Sequence, residues 1–217
     1  IRQYRRWNYK NVWDKCMSII KLSNNALSSL TSFTGSASLG DMVFISSATA
    51  SGSASIDFTS GIDSTYKEYK FFFTDIHPAT NATFLQFQAD TGTNTSYNQT
   101  VTTSYFTAYH NEAGSATALT YNSSYDLAQS TNFITIADRT GTDNDQCIVG
   151  MLNIFEPSSS VFVKHFVAST NCYEQSDYTS QVYVGGYFNT TTPITRFRFK
   201  MSSGNMDAGK ILMFGLN

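Results

Sequence analysis

Side chains able to shuttle protons, attack or ligate are few in this 217-residue chain, and their spacing is loose. The three histidines, His77, His110 and His165, form no His-x-His, His-x-x-His or His-Glu-x-x-His pattern, so a metal site has no local support. His77 precedes Pro78 and reads as the cap of a strand-ending turn, and His165 as a packed or rim residue among Val161, Val163 and Val167. No serine sits in the Gly-x-Ser-x-Gly elbow that exposes a nucleophile, and Gly35–Gly40 and Gly52–Ser55 read as small-residue connectors. The acids Asp63, Asp90, Asp126, Asp138, Asp143, Asp145, Asp177 and Asp207 fall mostly in turns. No two are placed in a common cleft of the kind glycoside hydrolysis needs. Asp143 and Asp145 could ligate calcium, yet the segment Asp138–Asp145 lacks EF-hand spacing and its terminal Glu, and it reads as a solvated hairpin loop. The expectation is a non-enzymatic protein with no catalytic residue, cofactor or metal.

Contact chemistry is better represented. In Thr195–Met201, strand geometry turns Phe197, Phe199 and Met201 inward and sets Arg196, Arg198 and Lys200 in a row, about 7 Å apart, on the other face. Such a stripe suits an acidic subunit or a glycan; the alternative is that cross-strand Asp or Glu partners neutralise it. Tyr97-Asn98-Gln99-Thr100 and Tyr121-Asn122-Ser123-Ser124-Tyr125 combine rigid amphipathic rings with hydrogen-bonding amides and hydroxyls. Tyr97, Tyr121 and Tyr125 are therefore candidate partner-binding residues, with plain turns as the competing reading.

The elements that must hold these side chains are strands. Period-two alternation recurs over Ser53–Ser60, Glu68–Ile76, Phe84–Asp90, Val101–His110, Thr131–Ala137, Cys147–Phe155, Val161–Ala168, Gln181–Phe188, Ile194–Met201 and Lys210–Leu216. Turn-forming runs such as Thr91-Gly92-Thr93-Asn94 and Ser202-Ser203-Gly204-Asn205 separate them. About ten strands without interposed helices predict an all-β fold, an antiparallel β-sandwich of jelly-roll-like type over residues 41–217. Aromatics at 15% of the chain supply a core without disulfide or metal, and no apolar run of about 18 residues exists to span a membrane.

Residues 1–40 read as an N-terminal arm or linker, in which Ile19–Phe33 could hold a helix. Arg2, Arg5, Arg6, Lys10 and Lys15 outweigh Asp14 in residues 1–16, while the remainder is net acidic. The basic segment is either a true arm or upstream read-through, because Met17 resembles a natural chain start. A net acidic body without a broad basic field makes nucleic acid a poor partner. Cys16, Cys147 and Cys172 form no disulfide framework and fit a reducing compartment of synthesis. Five Asn-x-Ser/Thr sequons are expected by chance in a chain that is a quarter Ser and Thr.

Ser46–Tyr69, the Phe-rich run ending Ile76-His77-Pro78-Ala79-Thr80, and the closing sequence Ile194–Met201, Ser203-Gly204-Asn205 and Gly209–Leu216 carry a resemblance. Over residues 42–217 the chain resembles virion structural proteins of tailed bacteriophages, especially marine cyanobacterial phages. The resemblance implies a β-sandwich in a tail fibre, tail appendage or capsid-decorating protein, located in the virion after synthesis in the host cytoplasm. It also implies other virion proteins as partners and a homo-oligomer, with a trimer favoured. It carries over no site residue. A host-surface glycan is the alternative partner, which would make the sandwich a host-recognition module.

Overall fold

A computed structural model describes residues 42–93 and 95–217; the arm expected over residues 1–40, its candidate helix and Cys16 lie outside them. The described residues form twelve antiparallel strands and no helix. The strands are β1 (Val43–Thr49), β2 (Ile56–Phe58), β3 (Glu68–Pro78), β4 (Leu85–Asp90), β5 (Val101–Asn111), β6 (Thr117–Tyr121), β7 (Ile134–Thr135), β8 (Ile148–Phe155), β9 (Lys164–Glu174), β10 (Tyr178–Phe188), β11 (Arg196–Met201) and β12 (Met206–Leu216). One sheet has eight strands in the order β1-β12-β3-β8-β9-β10-β5-β6, and the other has four in the order β2-β11-β4-β7.

Alternation decides what lies between the layers. Tyr69, Phe71 and Phe73 of β3 point inward and are almost wholly buried, as are Phe197, Phe199 and Met201 of β11. Phe71 meets Phe58, Phe197 and Phe199 across the gap at ring distances of 5.2, 5.5 and 5.1 Å. Phe87 reaches Phe166 at 5.2 Å and Phe188 at 6.0 Å. Each such pair adds about 1 kcal/mol beyond the area it buries. This aromatic lattice holds the two sheets face to face.

The boundaries shift at identifiable places. β1 and β6, the two edges of the larger sheet, are absent from the predicted strands because their sequences are Ser-, Thr- and Ala-rich with little buried on them. β9 begins at Lys164 and runs on to Glu174, which leaves Val161 and Val163 before the strand and puts His165 with Val167 on its outer face. His77 lies within β3 rather than after it, with Nδ1 2.7 Å from Asp207 Oδ1 and Nε2 3.1 Å from the Asp143 carbonyl oxygen. A bulge in β3 holds Asp75 at φ 51°, and Gly209 opposite has φ 107°; a Cβ there would stand 2.5 Å from the Asp75 carbonyl oxygen, so the site requires glycine.

Candidate functional site

The basic stripe forms as the alternation predicts, on the outer face of the four-stranded sheet, and acidic cross-strand neighbours meet its two arginines. Arg196 stands opposite Asp90, Arg198 lies between Asp57 and Gln88, and Lys200 faces Gln86. Arg198 donates to both Asp57 oxygens, from Nε at 2.8 Å and Nη2 at 2.6 Å. That fork–carboxylate pair raises the guanidinium pKa further above its usual value. The Tyr97 ring lies 4.1 Å from the guanidinium carbon, and the Phe133 ring 4.6 Å from Lys200 Nζ.

The chain itself roofs this face. Gln88 is fully buried, and its amide nitrogen donates to the carbonyl oxygens of Gln99 at 3.1 Å, Asn132 at 2.9 Å and Thr131 at 3.3 Å. Asp90, also fully buried, accepts from the Gly92 amide at 2.6 Å and ties down the turn that follows β4. Tyr97 is 2% exposed, held in the left-handed region at φ 48°. Sequence reasoning offers Tyr97 to a partner; the structure spends it as the lid on Arg198, because its aromatic face is the best local cover for a half-buried cation.

Nor do the other two tyrosines join it. Tyr121 is 59% exposed on the outer face of the eight-stranded sheet, with its hydroxyl donating to Asp126. Tyr125 is half-buried against Phe84 and Tyr105, at ring distances of 4.9 and 5.3 Å. The six partner-binding candidates therefore occupy three separate places.

Among the described residues, none covers the outer face of the larger sheet. One register line crosses it from Leu212 through Phe72, Met151 and Ser169 to Tyr183, Phe106 and Tyr121. Phe106 and Tyr183 stack at 5.2 Å, yet each remains more than a third exposed. Phe44, Leu119, Val149, Phe155 and Val167 widen the same surface and are all solvent-accessible. Sequence reasoning expects an apolar sandwich edge or face buried against symmetry mates but names none of these residues, although they leave a signal: Phe71-Phe72-Phe73 and Ile148-Val149 break the period of two, placing apolar residues on both sides of a strand.

A second place emerges where the wide sheet extends past the narrow one. Along β5, β9 and β10 the inward positions begin as Val101, Phe166 and Phe188 and end as Thr107, Glu174 and Ser180. These polar ends line a pocket of about 340 Å³, with Asp138, Arg139 and Tyr125 on its other walls. Asp138 accepts from Ser180 Oγ at 2.7 Å rather than joining Asp143 and Asp145 in a loop site. Among the described residues no group of three or more His, Cys, Asp and Glu could hold a metal ion. The nearby Cys172 thiol is pushed up to about 12 by burial and stays protonated at neutral pH, which removes its nucleophilicity.

No protein-family model, curated protein or solved structure matches the chain. Its function is read from these surfaces.

Proposed function

We propose that this protein is a non-enzymatic structural component of a phage virion, a tail fibre, tail appendage or capsid-decorating protein, that works by protein–protein assembly. The observation that carries the reading is the bare apolar face of the eight-stranded sheet. With strands about 4.8 Å apart and some seven residues of each contributing, the face covers about 900 Å². As a whole-face footprint this matches the about 800 Å² that each partner gives to a standard interface. Lys70, paired with Glu68 at 3.8 Å, is among the few charges on it. A surface so weakly charged complements itself, which favours a second copy of the chain as the partner. The phage-like sequence style of residues 42–217 supplies the setting. The glycan-recognition alternative drew on Tyr97 and Tyr121, which are not brought together, so assembly is the better-supported reading.

Light scattering across a concentration series tests it. The wild type is expected to self-associate, and Phe106→Asp or Met151→Asp to weaken association at least tenfold while the chain stays folded. A wild-type protein that remains monomeric at every concentration, and is missing from purified particles, overturns the reading.

A further inference from the structure

The pocket beneath the overhang of the larger sheet lies on the opposite side of β5 from the apolar face: Thr107 lines the pocket, while Phe106 faces outward. It stays open whether or not that face is covered, so its chemistry is independent of assembly. At its wall Glu174 is 3% exposed. Glu174 Oε2 accepts from the Ser176 amide at 2.7 Å, whereas Oε1 is buried with no hydrogen-bond partner. Arg139 Nη2 forms an ion pair with Oε1 at 3.2 Å without making a hydrogen bond to it, and its side chain is half exposed. Arg139 therefore balances charge there while leaving the oxygen's lone pairs unused. A buried carboxylate oxygen without a donor is costly, and a ligand that brings one relieves the cost.

Charge decides which donor fits. Asp138 and Glu174 together outweigh Arg139 by one negative charge. An acidic recess with low-dielectric walls concentrates cations. Tyr109 and Tyr178, in edge contact at 5.5 Å, present ring surface and hydroxyls at the wall. Rings beside a buried carboxylate favour an organic cation.

We propose that this pocket binds a small organic molecule bearing a primary ammonium group, which donates to Glu174 Oε1 and neutralises the Asp138–Glu174 excess. Calorimetric titration of the full chain at neutral pH tests this with glucosamine, its neutral counterpart glucose, and cadaverine. Glucosamine binding beside inert glucose is expected. Cadaverine binding as well means that any alkyl ammonium suffices; its failure beside glucosamine assigns the ligand to amino sugars, and either result keeps the ammonium requirement. Glu174→Gln is expected to weaken binding at least tenfold, and Arg139→Gln, which removes a competing cation from a half-exposed position, to tighten it. Equal binding of glucose and glucosamine overturns the proposal. So does the absence of binding by either amine, or loss of binding in Arg139→Gln with the fold retained by circular dichroism.

Discussion

The two sheets treat their outer faces in opposite ways. On the four-stranded sheet the outward residues are charged or amide-bearing, and the chain folds back over them through Gln88, Asp90 and Tyr97. On the eight-stranded sheet the outward residues include Phe72, Met151, Phe106 and Tyr183, and none of the described chain crosses them to bury them. Polar groups that must be desolvated need partners placed to within hydrogen-bond distance, and the same chain supplies these most reliably. Apolar groups need only area, which a separate molecule can supply. The contrast therefore separates internal structure from surface available for assembly.

The sharpest way to break that contrast is to strip the roof from the small sheet. Gln88→Leu leaves three backbone carbonyls without their donor, and a loss of about 3 kcal/mol in denaturant unfolding is expected. The matching change on the bare face, Met151→Gln, is expected to stay within about 0.5 kcal/mol under conditions where the chain is monomeric. Equal costs at both positions would erase the distinction. Next in size is the ion pair beneath Tyr97. A double-mutant cycle on Asp57→Ala and Arg198→Ala should return a coupling of about 1–2 kcal/mol, and a value near zero would mean that the roof holds without the charge pair. The smallest effect is alkaline. Burial, aided by the Asp57 charge, raises the Tyr97 phenol above its ordinary value. The folded state thus favours the neutral phenol, and that contribution is complete below about pH 10 and lost as pH rises through the higher folded value. Tyr97→Phe keeps the ring over Arg198 while removing the titration, so its unfolding midpoint should fall less steeply above about pH 10 than that of the wild type.

Much of this architecture is legible in the sequence, for reasons that differ by region. Glu68–Ile76 and Ile194–Met201 announce themselves because one face of each strand is buried, and burial enforces a period of two. The inward Phe197, Phe199 and Met201 and the outward Arg196, Arg198 and Lys200 follow from that rule alone. The edge strands Val43–Thr49 and Thr117–Tyr121 do not, since an edge with little to bury leaves no pattern. Tyr97 shows the deeper limit: its place over Arg198 depends on a fold-back across about 100 residues of sequence, which local spacing does not encode. The pocket is hidden for a similar reason. The shift from Val101 to Thr107 along β5 is visible, but its meaning depends on the narrow sheet stopping short above it.

One pairing has a mechanical consequence. Among the described residues β1 pairs only with β12, with Val43 opposite Gly215 and Thr49 opposite Lys210. Tension applied between residues 42 and 217 therefore pulls on neighbouring ends of one antiparallel ladder, and its rungs open singly rather than sharing the load. The Val43–Thr49 ribbon peels away first, like the starting tab of a seal, while the aromatic lattice behind it stays closed.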